Sequence, residues 1–403
     1  MRLMVGSDRQ SQNSAEQITS LGEWTVLFDL CAQWKLLAGL EARIAALGIS
    51  LPDADHADLS RRTQPAFLQT MLCIRAGATA LSALEQAGIP CAGFKGLAAL
   101  AYLYTGFRSR TLQDTDALIR PRDVESALTV LEAAGFKRSP DSPWEEYVAF
   151  LRNSPGTAGN EAVSLRDERG GCVDLHWHLG SLEVETLLAG ARPAQVLNRP
   201  LTLMSPAHCM LLSVHHALRN DFVPGDIARD VCDFAHWRPL LDKTGQWQAV
   251  SVDAERWGLS AACAALALIV AELRGEEDPE PPLPLSRADR AVARQLAAFY
   301  FHQLLAGPIN TDLAYVASAR PLRQVAAGLA GGWKTYREFM RRSEESNGEA
   351  SLAVHERLWN LGKSVTALSR DEWRQVRALA RAKDKMAGPR RTPQGNRETD
   401  PAV

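Results

Sequence analysis

Asp114 and Asp116 stand two residues apart at the head of the apolar run Ala117-Leu118-Ile119, and that spacing limits what the chain can build around them. On a strand, side chains two apart project to one face. Both carboxylates would then crowd one patch of an apolar sheet, at a cost in free energy unless a cation sits between them. An oxygen-only pair suits a hard divalent ion, Mg²⁺ above all, with phosphate oxygens completing its shell. The expectation is a metal site at one end of a strand.

A bare D-x-D is common among solvated loop carboxylates, so its surroundings decide. From Gly88 the sequence reads as a short strand, Ile89–Phe94, whose Pro90 suits an edge or a strand start. Lys95-Gly96 follows in a turn. A short helix comes next with Leu97, Leu100, Ala101 and Tyr104 on one stripe, then a basic loop with Arg108 and Arg110. After the D-x-D strand, a helix from Pro121 to Ala134 turns Val124, Leu128 and Leu131 inward and stops at Gly135. Trp144–Leu151 reads as another short helix. A hairpin follows, Ala162–Arg166 and Cys172–Leu179. The second arm, C-V-D-L-H-W-H-L, alternates strictly: Val173, Leu175, Trp177 and Leu179 lie on one face, Cys172, Asp174, His176 and His178 on the other. Alternation alone would let Asp174 face solvent.

The order G-I-P, K-G, short helix, R-x-x-x-D-x-D-x-L-I, P-R-D-V and A-A-G-F resembles the nucleotidyltransferase superfamily with a DNA polymerase β-like core. More narrowly it resembles the bacterial branch in which Lys-Gly replaces the usual Gly-Ser, itself similar to AbiEii-type toxin nucleotidyltransferases. The likeness is strongest over residues 88–135 and traceable from Cys172 to Trp237. It implies transfer of NMP from an NTP to an acceptor: a small molecule, a peptide, a protein or an RNA. It also implies Mg²⁺ (or Mn²⁺) on three carboxylates, where Asp114 and Asp116 match the D-x-D and Asp174 is the natural third. Lys95, Gly96 and Arg110 fall at the nucleotide-binding positions. From strand alternation, His176 shares a face with Asp174 and could orient that carboxylate, approach substrate or serve as a hydrogen-bonded structural residue. Two other functions fit the same fold: a non-catalytic nucleotide- or partner-binding protein, and a toxin-like enzyme acting on tRNA.

The fold implied is α+β, a small mixed β-sheet core flanked by N- and C-terminal helical layers. The expected layout is a flexible N-terminus (1–16), a helical layer (17–87), the core (88–180), a helical extension (181–274), an acidic proline-rich linker (275–285), a C-terminal helical region (286–387) and a disordered tail (388–403). Within these, Pro65–Ala87 and Gln246–Arg274 each read as one helix. The 403 residues, 46% hydrophobic and 23% charged, suffice for a large core. A net charge of −2 argues against bulk electrostatic capture of nucleic acid. Arg320–Arg342 is a local exception, with Trp333, Tyr336 and Phe339 among basic residues. It is a candidate contact for RNA or protein, or the solvated face of an amphipathic helix. Seven cysteines without C-x-x-C spacing read as reduced core thiols of a cytoplasmic protein. No stretch of eighteen uninterrupted apolar residues predicts a membrane span. His208, His215 and His216 with Asp226, Asp230 and Asp233 read as capping and packing groups. Leu211–Trp237 resembles the helical feature that follows the catalytic core in the same family, which implies a lid or wall of the site.

Overall fold

The computed structural model describes residues 2–5, 8–104, 106–138, 162–276, 283–306 and 370–386. The expected helix Trp144–Leu151, the basic segment Arg320–Arg342 and the 388–403 tail lie outside these residues.

Helices α1 (Arg2–Val5), α2 (Asp8–Leu21), α3 (Trp24–Gln33) and α4 (Leu37–Ala46) open the chain. Residues 1–16, expected to be unfixed, are therefore largely helical. Leu3, Val5 and Ala15 are buried, and Arg274 Nε donates to the Val5 carbonyl at 2.8 Å. A few apolar anchors and one distant arginine hold a segment whose composition is polar. Left-handed residues Gly22 (φ 68°) and Lys35 (φ 58°) break the helical run at the turns between α2, α3 and α4.

Helix α5 (Asp53–Gln86) starts well before the expected Pro65. Pro52 precedes it, and Asp53 and Asp55 in its first turn complement the helix dipole. Pro65 sits inside the helix on its exposed side, where water can satisfy the carbonyl that proline leaves without a donor. By length and composition α5 could cross a membrane, but half of its most apolar window is buried. It packs against the sheet described next, which is the position of a core helix.

The rest of the core comprises β1 (Cys91–Phe94), α6 (Lys95–Tyr102), β2 (Thr115–Ile119), α7 (Val124–Ala133), β3 (Lys137–Arg138), β4 (Ala162–Arg166) and β5 (Cys172–His176). Then come α8 (Val184–Ala189), β6 (Arg192–Val196), β7 (Arg199–Leu203), α9 (Pro206–Arg219), α10 (Pro224–Thr244), α11 (Trp247–Arg256), α12 (Ser260–Arg274), α13 (Arg287–Ala306) and α14 (Arg370–Met386). The strands form one seven-stranded mixed sheet in the order β3-β4-β5-β2-β1-β7-β6. Helices cover both faces, α5 on one and α6 with α9 on the other. This is the expected α+β architecture.

Strand β1 is central, so Pro90 marks a strand start and not an edge. The β6–β7 hairpin corrects the expectation of a purely helical 181–274. Its turn residues Leu197 and Asn198 both have left-handed φ (50° and 61°), the geometry of a two-residue hairpin turn. Pro193 and Pro200 hid these strands, yet β6 is an edge strand and β7 meets β1 only around Gly93↔Leu203. The expected helix Gln246–Arg274 is split into α11 and α12 by Gly258 (φ 68°), where a Cβ would lie 2.4 Å from the Lys385 carbonyl oxygen. At the far end of the expected linker, Leu283 and Leu285 are buried and join the same hydrophobic cluster as the sheet and the C-terminal helices.

Candidate active site

Strand β2 lies between β1 and β5, and its alternation decides which side chains meet. Thr115 turns toward α5, donating from Oγ1 to the Cys73 carbonyl at 2.8 Å. Gly77 makes that approach feasible: a Cβ there would stand 2.4 Å from Thr115 Cγ2. Asp114 and Asp116 consequently face away from α5. The parallel register of β2 and β5 sets Asp116 beside Asp174 and Leu118 beside His176, while β1 sets Phe94 beside Asp116. Ser164 on β4 donates to Asp174 Oδ1 at 2.6 Å.

Asp116 is only 5% exposed. Its Oδ1 accepts from Lys95 Nζ at 2.5 Å and lies 2.9 Å from His176 Nε2. One donor atom each from Asp116, Asp174 and His176 fall within 4.8 Å of one another, close enough for a single ion. The half-buried Asp114 stays outside that group and makes no hydrogen bond or ion pair among the described residues. His176, on the same strand face as Asp174, has its hydrogen bond with Asp116. Its ring stands edge-on to Phe94, with centroids 5.1 Å apart at 71°.

The electrostatics separate the two D-x-D carboxylates. Burial pushes the Asp116 pKa up, but the Lys95 charge and the His176 hydrogen bond outweigh it and hold the group well below the usual carboxylate range. Asp114 lacks such close partners. Burial first, then the charges of Asp116 and Asp174, push it up to about 6. Burial lowers the Lys95 pKa, yet Asp116 with Asp114 and Asp174 raises it overall. Lys95 itself has a left-handed φ of 45° at the strand-to-helix junction, a strained conformation for a residue with a side chain.

The Asp114 shift makes a testable statement about stability. Its folded pKa of about 6 exceeds the ordinary 3.8, so between those values the folded state binds more protons than the unfolded. Stability from this group therefore falls as pH rises through that window, by up to about 2–3 kcal/mol. Without added metal, Asp114→Asn is expected to be more stable than wild type at about pH 7.5 and to lose that advantage below about pH 4. Urea unfolding midpoints at both pH values check this; an equal difference at both would contradict the shift.

Lys95, Asp114 and Asp116 open into a cleft of about 180 Å³, walled by α9 and α10. Arg110 lines it too, but its guanidinium is engaged: Nε and Nη2 donate to Asp233 Oδ2 at 3.0 and 2.8 Å. Tyr104 Oη donates to the other oxygen of Asp233 at 2.6 Å. Gly96 is required by this arrangement, since a Cβ would fall 2.5 Å from Arg110 Nη1 and 2.3 Å from Leu112 Cδ2. Its backbone N–H, in the first turn of α6, has no acceptor within the helix. A second cavity of about 220 Å³ adjoins the first and shares Lys35, Arg110, Arg229 and Asp233 with it.

Several of the remaining polar groups singled out in the sequence have local partners. His216 Nδ1 lies 2.7 Å from Asp230, and His208 Nε2 3.2 Å from Asp253. His215 is buried, its pKa pushed down to about 3 chiefly by burial and then by Arg219. Arg108 stacks 4.2 Å over the Phe67 ring, and Arg120 pairs with Glu185. His178 is exposed beyond the end of β5. All seven cysteines are buried and free. Sequence reasoning missed Arg229 as an individual residue, though it lies in the Leu211–Trp237 stretch expected to wall the site. Lys35, in the α3–α4 turn, gave no signal at all.

On paired strands, beside a lysine at a helix start, Asp116, Asp174 and His176 thus form a group that could hold a metal ion. Residues 20–275 match the family described as uncharacterised nucleotidyltransferase, and the chain belongs to that family. The match takes in the whole sheet and the helices from α3 to α12. No curated protein matches the chain.

Proposed function

We propose that the protein is a metal-dependent nucleotidyltransferase that moves NMP from an NTP to an acceptor. The observation that carries this reading is the convergence of Asp116, Asp174 and His176 next to the unpaired Asp114 and to Lys95. Asp114, Asp116 and Asp174 offer the oxygen donors that Mg²⁺ or Mn²⁺ prefers. His176 suits the role of orienting Asp116 through their 2.9 Å contact. A divalent ion held there supplies charge stabilisation for the leaving pyrophosphate and lowers the pKa of the attacking group.

The chain's own residues do the rest. The acceptor oxygen bonds to the α-phosphorus, the bond from that phosphorus to the pyrophosphate oxygen breaks, and the acceptor proton passes to a nearby base or water. Lys95 holds positive charge where negative charge builds. The first-turn N–H of Gly96 points the α6 dipole at phosphate. Arg110, fixed by Asp233 and Tyr104, acts as a rigid wall of the cleft.

Nucleotides labelled at the α- or the γ-phosphorus separate this reading from others. Incubation of the protein with each NTP, Mg²⁺ or Mn²⁺ and cell-lysate fractions should place α-label, and no γ-label, on an acceptor. Transfer of γ-label would make the protein a kinase. Nucleotide binding with no α-transfer in any fraction would favour a binding protein.

A further inference from the structure

Four cations line the carboxylate cleft: Lys35, Lys95, Arg110 and Arg229. Facing them are Asp114, Asp116, Asp230 and Asp233. Most of these groups are bonded to a neighbour. Lys95 pairs with Asp116, Arg110 with Asp233, and Asp230 is held by His216. Three are left over: Asp114, the guanidinium of Arg229 and the ammonium of Lys35, none of which has a hydrogen bond or ion pair among the described residues.

Their placement is ordered. Asp114 and Asp116 border only the first cavity, whereas Arg229 and Lys35 border both. The two unpaired cations therefore stand where the two cavities adjoin, with Asp114 and Asp116 on the first cavity's side only. Arg229 is half-buried on α10, and Lys35 is exposed in the α3–α4 turn, held there by its left-handed backbone. A half-buried guanidinium that no carboxylate bonds directly among the described residues keeps its N–H donors free for an arriving anion. Burial and the neighbouring Arg110 push the Arg229 pKa down by more than the charges of Asp230, Asp233 and Asp114 raise it.

We infer that Arg229, assisted by Lys35, binds the β- and γ-phosphates of the nucleotide, in the role that sequence pattern gave to Arg110. This rests on the nucleotidyltransferase reading and adds an orientation to it. The α-phosphorus lies by Asp114 and Asp116, and the polyphosphate tail runs toward the second cavity. A guanidinium can grip phosphate oxygens with two parallel N–H donors, which an ammonium cannot.

The test is calorimetric titration with Mg²⁺ and each of ATP, GTP, CTP and UTP, then with the matching NMP and with inorganic tripolyphosphate. Arg229→Met should weaken the bound NTP and tripolyphosphate by about 10- to 100-fold, the loss of one charge-assisted contact, and NMP by less than about threefold. Arg229→Lys should recover part of the loss. Lys35→Ala should cost about three- to tenfold, since an exposed ammonium is better solvated. Folding of each variant is checked by thermal unfolding, and Arg229→Lys serves if Arg229→Met fails to fold. NTP binding unchanged in both Arg229 variants, or an equal loss for NTP and NMP, overturns the assignment and leaves the nucleotidyltransferase reading standing. Wild-type protein that binds none of the four NTPs overturns both.

Discussion

Asp174→Asn is expected to lower nucleotidyl transfer by at least about a hundredfold while leaving the fold as stable as before, or more so. The substitution keeps the size of the side chain and an oxygen for Ser164 Oγ to donate to, so packing between β4 and β5 should survive. What it removes is one of the charges that raise the pKa of Asp114, and relief of like-charge repulsion favours the metal-free protein. It also removes a carboxylate from the cluster with Asp116 and His176, where loss of an oxygen donor weakens the hold on a divalent ion. A solvent-facing strand residue would behave otherwise: stability within about 0.5 kcal/mol of wild type and a working enzyme. Transfer rates and urea midpoints measured on the same preparation separate the two. Full activity in Asp174→Asn would remove Asp174 from the site.

The largest effect on stability is expected at Asp233, away from the carboxylate cluster. Asp233→Ala leaves the buried guanidinium of Arg110 without its counter-charge and the buried hydroxyl of Tyr104 without its acceptor. Burial works against the Arg110 charge, and Asp233 more than reverses that, raising the Arg110 pKa further. Breaking such a pair from one side costs about 3–5 kcal/mol, mostly the penalty on the partner left behind. Removing both sides is milder, so Arg110→Met/Asp233→Leu should regain much of the loss. Denaturant unfolding of the two single variants and the double gives the cycle. An Asp233→Ala protein within about 1 kcal/mol of wild type would mean that Arg110 is free to turn to a ligand, contrary to its role as a fixed wall.

The parts of the site legible in the sequence are those encoded by neighbouring residues. Period-two alternation placed Asp174 and His176 on one face of β5, and the D-x-D spacing placed Asp114 with Asp116. The Lys95-Gly96 pair marked the strand-to-helix junction for the same local reason. Partners that meet across the sheet or between helices left no such pattern. His176 reaches Asp116 because of the parallel register of β2 and β5, which no local window encodes. Arg110 and Asp233 are 123 residues apart in the chain, and only the packing of α10 beside the loop after α6 joins them. Seen in sequence, Arg110 looked free to grip phosphate; seen in space, its Nε and Nη2 are bonded to Asp233, while Arg229 has no such bond among the described residues. The sheet was misjudged where proline speaks against strands, at Pro193 and Pro200, since its local cost there is avoided by an edge position and by sparse pairing to β1. Helix α1 and the first half of α2 were missed because a polar composition hides a few anchors such as Leu3 and Val5, whose burial depends on α4 and on α12 far along the chain.

The proposed metal centre at Asp114, Asp116 and Asp174 is tested most directly by titrating the protein with Mn²⁺ and reading free Mn²⁺ by electron paramagnetic resonance. Wild-type protein should deplete the free-ion signal, and Asp116→Asn/Asp174→Asn, verified as folded, should leave it as in buffer. Depletion by the double variant equal to that of wild type would show that the ion binds elsewhere and contradict a metal-dependent site at these strands.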